Sequence, residues 1–593
     1  MTGRVLAAAC VLVLALVPAA DAKRHPPRLT AFDSCPQLVR WASAHANAAT
    51  PLPADAPTPA PTAPPQGGPG AERTTGAADG VSQTNVQEAG IDEPDVVKTS
   101  GGTLFVVSGT TLYAVDGRGA TPQLLGSVQL PTGGGRLLVH GDRVLVIGQE
   151  AIRTIRPLPI DGPVASVPPA RIAYEPPRTV LASVDVRDPA RMAVRQTLTV
   201  DGSPVSARAD GRLARVVVTS PPRYVVAPDT LRRVGGWVPS ARVDGTRTRR
   251  LVSCDDVLRP PVFSGTAMTS VLTIDIDAGA TPIATTGVLA DAETVYASAK
   301  NLYVATQRRD PEAVASTTAI HRFALRGDGA DYAASGTVPG SLLSQWALSE
   351  QGSVLRVAST RERDATVTTL DAALRPLGSV TGLGPDERIR GVRFIGDLGY
   401  VVTFRQTDPL YTVDVADPSA PRVAGELKVL GYSAYLHPVG DGRLLGIGQD
   451  ATDEGRLLGA QASLFDVSDP SAPKLLDRRP LGPGAGTDVE SDHHAFTWWP
   501  TGRLALLAVR GGDFTGGVGL KIGSTSIAEG GRVAAPPGTA FSRAVVVGDR
   551  VLFVDPSRGI QAAALSGLGA QGWLAFPSAV PVDEPGIAEP APR

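Results

Sequence analysis

Asp488-Val-Glu-Ser-Asp-His-His494 places five potential ligand side chains within one short stretch. Carboxylate and imidazole at this density suit a divalent metal, with imidazole favouring zinc, copper or iron. Asp488, Glu490, Asp492, His493 and His494 are therefore candidate metal ligands, and His437 in Tyr435-Leu-His-Pro438, with the corresponding place in the preceding repeat, is joined to them. A second acidic group, Asp92, Glu93 and Asp95, lies far upstream. A purely structural reading competes with the metal one: Asp492 and the histidines then hydrogen-bond backbone and neighbouring elements. Adjacent side chains of a strand point to opposite faces, so His493 and His494 cannot both face the channel without a bulge. Other catalytic signatures are missing: the sequence has no P-loop, no G-x-S-x-G elbow and no H-E-x-x-H. Gly567-Leu-Gly-Ala-Gln-Gly572 carries the letters of a dinucleotide loop but lacks the βαβ context that such a loop needs.

The elements that must position these residues are short strands. Tyr400–Phe404 and Leu410–Val415 are β-branched and aromatic runs, followed by the turn Asp417-Pro-Ser-Ala-Pro421. The aspartate can bond its own backbone, and each proline fixes φ and ends strand pairing. This turn recurs at Asp469–Pro473 and lacks the ligand spacing of a calcium loop, so it reads as structure. Versions of the unit recur from Leu104 to Leu565, nine in all, and the strand-ending aspartates 371, 414 and 466 mark its best-kept copies. A four-stranded antiparallel unit of roughly 40–50 residues repeated in this way is the signature of a β-propeller blade. Because propellers usually have four to eight blades, the expected fold is an all-β propeller of about eight four-stranded blades: either one weak unit is an insertion, or the two weak C-terminal copies complete each other or pair with Asp95–Thr99 to close the ring. His437 and His494 then start inner strands near one mouth of the channel. Ring closure would bring Asp92, Glu93 and Asp95 close to them. Trp498 and Trp499 offer a sugar-stacking surface in principle, but blades bury aromatics and the core reading is preferred.

Composition agrees with this architecture and narrows the function. The chain has 593 residues, 19% of them charged, with 65 Gly and 52 Pro, and a formal net charge of −2. No basic field points to nucleic acid. Arg4, the apolar run Val5–Val17 and Ala20-Asp-Ala22 form an export signal with cleavage expected after Ala22. Cys10 lies inside the apolar run, which disfavours a lipoprotein. The remaining cysteines, Cys35 and Cys254, are expected to pair in an oxidising compartment, closing a loop worth ~4–5 kcal/mol in the chain-entropy account. Residues 23–49 hold one short helix, expected over 29–48; residues 50–80 form a Pro/Thr/Ala-rich linker; residues 81–577 form the propeller; residues 578–593 are an unstructured tail.

Once these stretches are laid out, the chain resembles a family of secreted bacterial and archaeal β-propeller proteins distantly related to WD-40 repeats. The matching segments are Thr84–Thr99, Val392–Asp397 running into Val401–Phe404, Ser433–Pro438, Gly446–Gln449 and Asp492–Phe496. The resemblance implies the propeller and the export, and no activity. The leading expectation is an extracellular binding or scaffold protein, monomeric, with a protein or glycan ligand at the channel mouth or on insertions at 151–178 and 221–265. A metal-dependent hydrolase or oxidoreductase and a cell-envelope assembly factor are the alternatives. A divalent metal is the one cofactor the residues suggest.

Overall fold

Runs such as Leu104–Val107, Leu444–Ile447 and Leu504–Val509 are apolar on both strand faces, which suits strands covered on both sides. The computed structural model describes residues 30–48, 80–150, 177–223, 232–246, 248–260, 263–309, 316–404 and 408–577. Among them lie nine antiparallel blades in chain order. The innermost strands are Val97–Ser100, Arg136–His140, Ser203–Asp210, Thr294–Ala297, Leu348–Gln351, Arg388–Ile395, Tyr432–Pro438, Thr497–Trp499 and Arg543–Val547, beginning blades 1 to 9. Second and third strands are almost wholly buried, whereas outermost strands such as Gln123–Gln129 and Lys474–Pro480 are partly exposed.

The ring has nine blades, not the eight expected from the usual size range. Residues 497–534 and 543–575 each complete a four-stranded sheet of their own, so the weak C-terminal copies neither merge nor lend strands. Closure is by packing. Leu104, Val106 and Val115 of blade 1 share a core with Leu552, Val554 and Ile560 of blade 9. Fully burying each such side chain is worth about 1.5–3 kcal/mol.

A joint recurs between the outer strand of one blade and the third-to-fourth-strand turn of the next. An ideal Cβ on Gly378 would lie 2.6 Å from the Ser419 carbonyl oxygen, and one on Gly425 would lie 2.5 Å from that of Pro470. Only a hydrogen at these positions lets the Asp-Pro turns seat against the neighbouring strand. The turns are built as expected: Asp417 accepts from Ser419 N at 2.9 Å, and Asp469 from Ser471 N at 2.9 Å. The ring-closing joint is of the same kind, with Gly572 of blade 9 donating to Ala120 O of blade 1 at 2.9 Å.

The outer edges of blades 2 and 3 are elaborated. The insertion in blade 3 adds Ser240–Val243 and Arg249–Arg250 to the outer edge of blade 2, and Val257–Arg259 to its own blade. Thr30–Ala31 pairs with Val257–Arg259, so the helix begins only at Cys35 and runs to Ala48, later than the expected 29–48. Phe32 and Leu38 pack against Trp237, Val252 and Met268, and the Cys35–Cys254 disulfide pins the helix there with Cα atoms 5.1 Å apart. No described helix is long and apolar enough to cross a membrane. The expected export signal with Cys10, most of the expected linker, residues 151–176 and the expected C-terminal tail lie outside the described residues.

Candidate functional site

Residues 81–96 belong to no blade. They run through the middle of the ring and hydrogen-bond one inner strand after another. Ser82 N donates to Val546 O in blade 9 at 2.9 Å. Asn85 Nδ2 donates to Tyr435 Oη of blade 7 at 2.8 Å and to His493 O, at the entry to blade 8, at 2.9 Å. Gln87 Nε2 reaches Leu348 O of blade 5 at 2.9 Å, and Glu88 accepts from Tyr296 Oη of blade 4 at 2.7 Å. Asp92 exchanges backbone bonds with Ala209 of blade 3, and Asp95 does so with Leu137 of blade 2, before Val97 opens blade 1. Nine inner strands stand farther from the axis than a smaller ring would hold them, and this segment fills the space. Its buried backbone groups need partners, and the inner strands supply them.

The plug is acidic and the wall around it is basic. Glu88, Glu93 and Asp95 meet Arg208, Arg356, Arg393 and Arg543, each from a different blade. Arg543 clamps two carboxylates: its Nε lies 2.9 Å from Asp95 Oδ1, and its Nη2 lies 2.5 Å from Asp492 Oδ2. Burial, the largest influence, would push Asp95 and Asp492 up, but Arg543 together with the neighbouring histidines outweighs it and holds both below the usual carboxylate range. Glu93 is 3% exposed and accepts from Gln87 N at 3.0 Å and Gln345 Nε2 at 3.1 Å. Its burial is likewise outweighed, by Arg208 and the two histidines, so its carboxyl sits well below its ordinary value. Glu88 goes the other way: burial pushes it up to about 7. Arg393 is pushed down to about 9 by burial, with its guanidinium 5.1 Å over the Trp346 ring.

The sequence candidates separate into two groups. Asp492, His493 and His494 come together with Glu93 and Asp95. Asp492 caps a single 3₁₀ turn, His493–Ala495, immediately before the inner strand of blade 8. That turn, rather than a bulge, is what lets both rings point the same way; their centroids are 3.8 Å apart. His493 Nε2 lies 3.2 Å and His494 Nε2 3.7 Å from Glu93 Oε2. Burial and the neighbouring His494 push His493 down to about 4. Asp92 pairs with Lys98 at 2.6 Å beside this hub.

His437, Asp488 and Glu490 stand apart from it. His437 Nδ1 is 2.9 Å from Tyr435 Oη, and its ring packs 4.9 Å from Phe496. Asp488 is held by Arg510, and Glu490 by Gln449 and Tyr432. Asp488–Glu490 forms its own 3₁₀ turn, which turns those carboxylates away from the histidines. Trp499 is buried in the core between blades 8 and 9. The basic partners Arg208, Arg393 and Arg543 escaped the sequence reading. A single arginine inside an apolar first strand, as in Val392-Arg-Phe394, is the signal that could have found them.

Fold and hub together define a nine-bladed propeller whose channel is filled by its own chain. Residues 81–568 match the beta propeller domain family, and the chain belongs to it. An uncharacterized protein of Methanocaldococcus jannaschii is 44% identical over 171 residues, 28% of this chain and 26% of that one. One from Archaeoglobus fulgidus is 44% identical over 161 residues, 27% of this chain and 25% of the other. The match thus spans about a quarter of the length of these relatives. Among solved structures, Citrobacter koseri AztD is 10% identical over 82% of this chain and 95% of its own, with a TM-score of 0.36. The C-terminal WD40 domain of Sif2 is 11% identical over 47% and 69%, with a TM-score of 0.30.

Proposed function

We propose that the chain is an extracellular binding propeller that holds an anionic ligand on the surface formed by the blade 3 insertion. The observation that carries this reading is the filled channel. With residues 81–96 bonded to the inner strands, a ligand is left the outer faces. The insertion at 221–265 contains eight arginines against four aspartates, in a chain whose net charge is −2. Arg232, Arg233, Arg249 and Arg250 are exposed on it. Between the insertion and blade 2 lies a cavity of 190 Å³ lined by Arg178, Asp201, Arg223, Ser240 and Arg242, in which Arg223 and Ser240 already donate to the Asp201 carboxylate. The Cys35–Cys254 disulfide supports export, since such bonds persist in oxidising compartments.

The test is binding of the full chain to an immobilised acidic polysaccharide and to neutral dextran. Binding to the acidic polymer alone, weakening as salt screens the exposed charges, is expected. It should fall at least tenfold when Arg232, Arg233, Arg249 and Arg250 are changed to Glu. Equal binding to both polymers, or to neither, counts against the reading.

A further inference from the structure

We infer that the hub is a divalent transition-metal site formed by Glu93, His493 and His494, and that the metal locks the plug into the ring. The three ligating atoms lie within 4.8 Å of one another and all three residues are buried. Two ligands each about 2.1 Å from a tetrahedral ion stand about 3.4 Å apart. The distances from Glu93 Oε2 to the two Nε2 atoms, 3.2 and 3.7 Å, bracket that value.

His494 supplies the independent observation. Its Nδ1 is 3.0 Å from Asp492 Oδ1, whose other oxygen is held by Arg543. A carboxylate on one ring nitrogen makes that nitrogen the donor and leaves the other with its lone pair outward. The side chain is 3% exposed, and Nε2 has no hydrogen-bond partner. A buried lone pair therefore faces a buried carboxylate oxygen across 3.7 Å, an arrangement that asks for a cation between them. The surrounding charge agrees. Glu93, Asp95 and Asp492 outnumber Arg208 and Arg543, while Asp92 and Lys98 cancel each other.

Two imidazoles and one carboxylate suit zinc, cobalt or a similar borderline ion rather than calcium or magnesium. A cavity of 20 Å³ beside His494, Asp95 and Arg543 has room for one water as a fourth ligand. One ligand comes from the plug and two from the entry to blade 8, so the ion would join them directly. With its ligands buried, the site is a structural pin.

The experiment is metal analysis of the full chain, purified without an affinity tag from cells grown with added zinc or with added cobalt. One equivalent per chain is expected, retained through gel filtration. X-ray absorption of the zinc form should show nitrogen and oxygen neighbours with two imidazoles. Glu93→Gln and His494→Asn should each carry less than a tenth of an equivalent, whereas His437→Ala should keep the full amount. The inference is overturned if the wild type carries and takes up no metal, or if His494→Asn binds as much as the wild type. It is equally overturned if the absorption spectrum shows fewer than two imidazoles, a reading that does not depend on any variant folding.

Discussion

Replacing Arg543 by methionine tests the plugged hub at its most loaded point. The guanidinium is 5% exposed and bonds Asp95 Oδ1 at 2.9 Å through Nε and Asp492 Oδ2 at 2.5 Å through Nη2. Methionine has similar bulk, so the core stays filled while two carboxylates lose their shared cation. Removing one partner of a buried ion pair costs about 3–5 kcal/mol, because the remaining charge is left uncompensated. Asp95 and Asp492 are now held below the carboxylate range by Arg543. Their favourable contribution is present above the unfolded aspartate value, near 3.9, and is lost as pH falls through the folded values. Without Arg543, burial and mutual repulsion would raise both carboxyls above the unfolded value. The variant should then be weakest near neutral pH and approach the wild type as acid protonates the orphaned pair. Urea unfolding followed by tryptophan fluorescence at pH 7.5 and at lower pH gives the comparison, and adding Asp95→Asn should restore part of the loss. A deficit below about 1 kcal/mol, or one that does not change with pH, would refute the reasoning.

Other substitutions test separate links. Glu88 is pushed up to about 7 by burial, so its ionisation costs stability that grows as pH rises from its ordinary value to about 7. Glu88→Gln should therefore stabilise the chain by up to about 3 kcal/mol at pH 8 and leave it unchanged near pH 4, as read by thermal unfolding. His321, buried with Nδ1 2.6 Å from Ser335 Oγ, is pushed down to about 4 by burial. The stability that its neutral form contributes is complete above pH 6.5 and is lost as pH falls towards 4. His321→Gln should flatten that limb of the stability profile by about 3 kcal/mol. Gly425→Val drives a side chain into the Pro470 carbonyl at the joint between blades 6 and 7. A loss of about 1–3 kcal/mol is expected, measured as a lower denaturant midpoint.

The strands were legible because their signal is local. All nine repeat units found in the sequence coincide with the nine sheets, and the Asp417 and Asp469 turns close as their residues dictate. Ring size was not legible, because it depends on what fills the axis, and nothing in Thr84–Thr99 marks it from sequence as the segment that does. The hub was half visible. Asp492, His493 and His494 stood out by density, and Glu93 and Asp95 by their acidity. Arg543 and Arg208 bring those groups together from blades far away in the chain, and no spacing rule reaches that distance. The pairing of His493 with His494 on one side hung on a single 3₁₀ turn that strand periodicity does not foresee. Glycines at the joints were also silent, since the atom each one avoids belongs to the next blade.

Hydrogen exchange of residues 81–96 tests the central claim most directly. Three of their amides are bonded to inner strands of different blades, with Ser82 donating to Val546, Asp92 to Ala209 and Asp95 to Leu137. Such groups open only when the hub itself opens. The expected result is protection of the Ser82, Asp92 and Asp95 amides as strong as that of the inner strands Arg388–Ile395 and Arg543–Val547. Exchange within seconds at these three amides, with the blades still protected, would contradict a channel filled by its own chain.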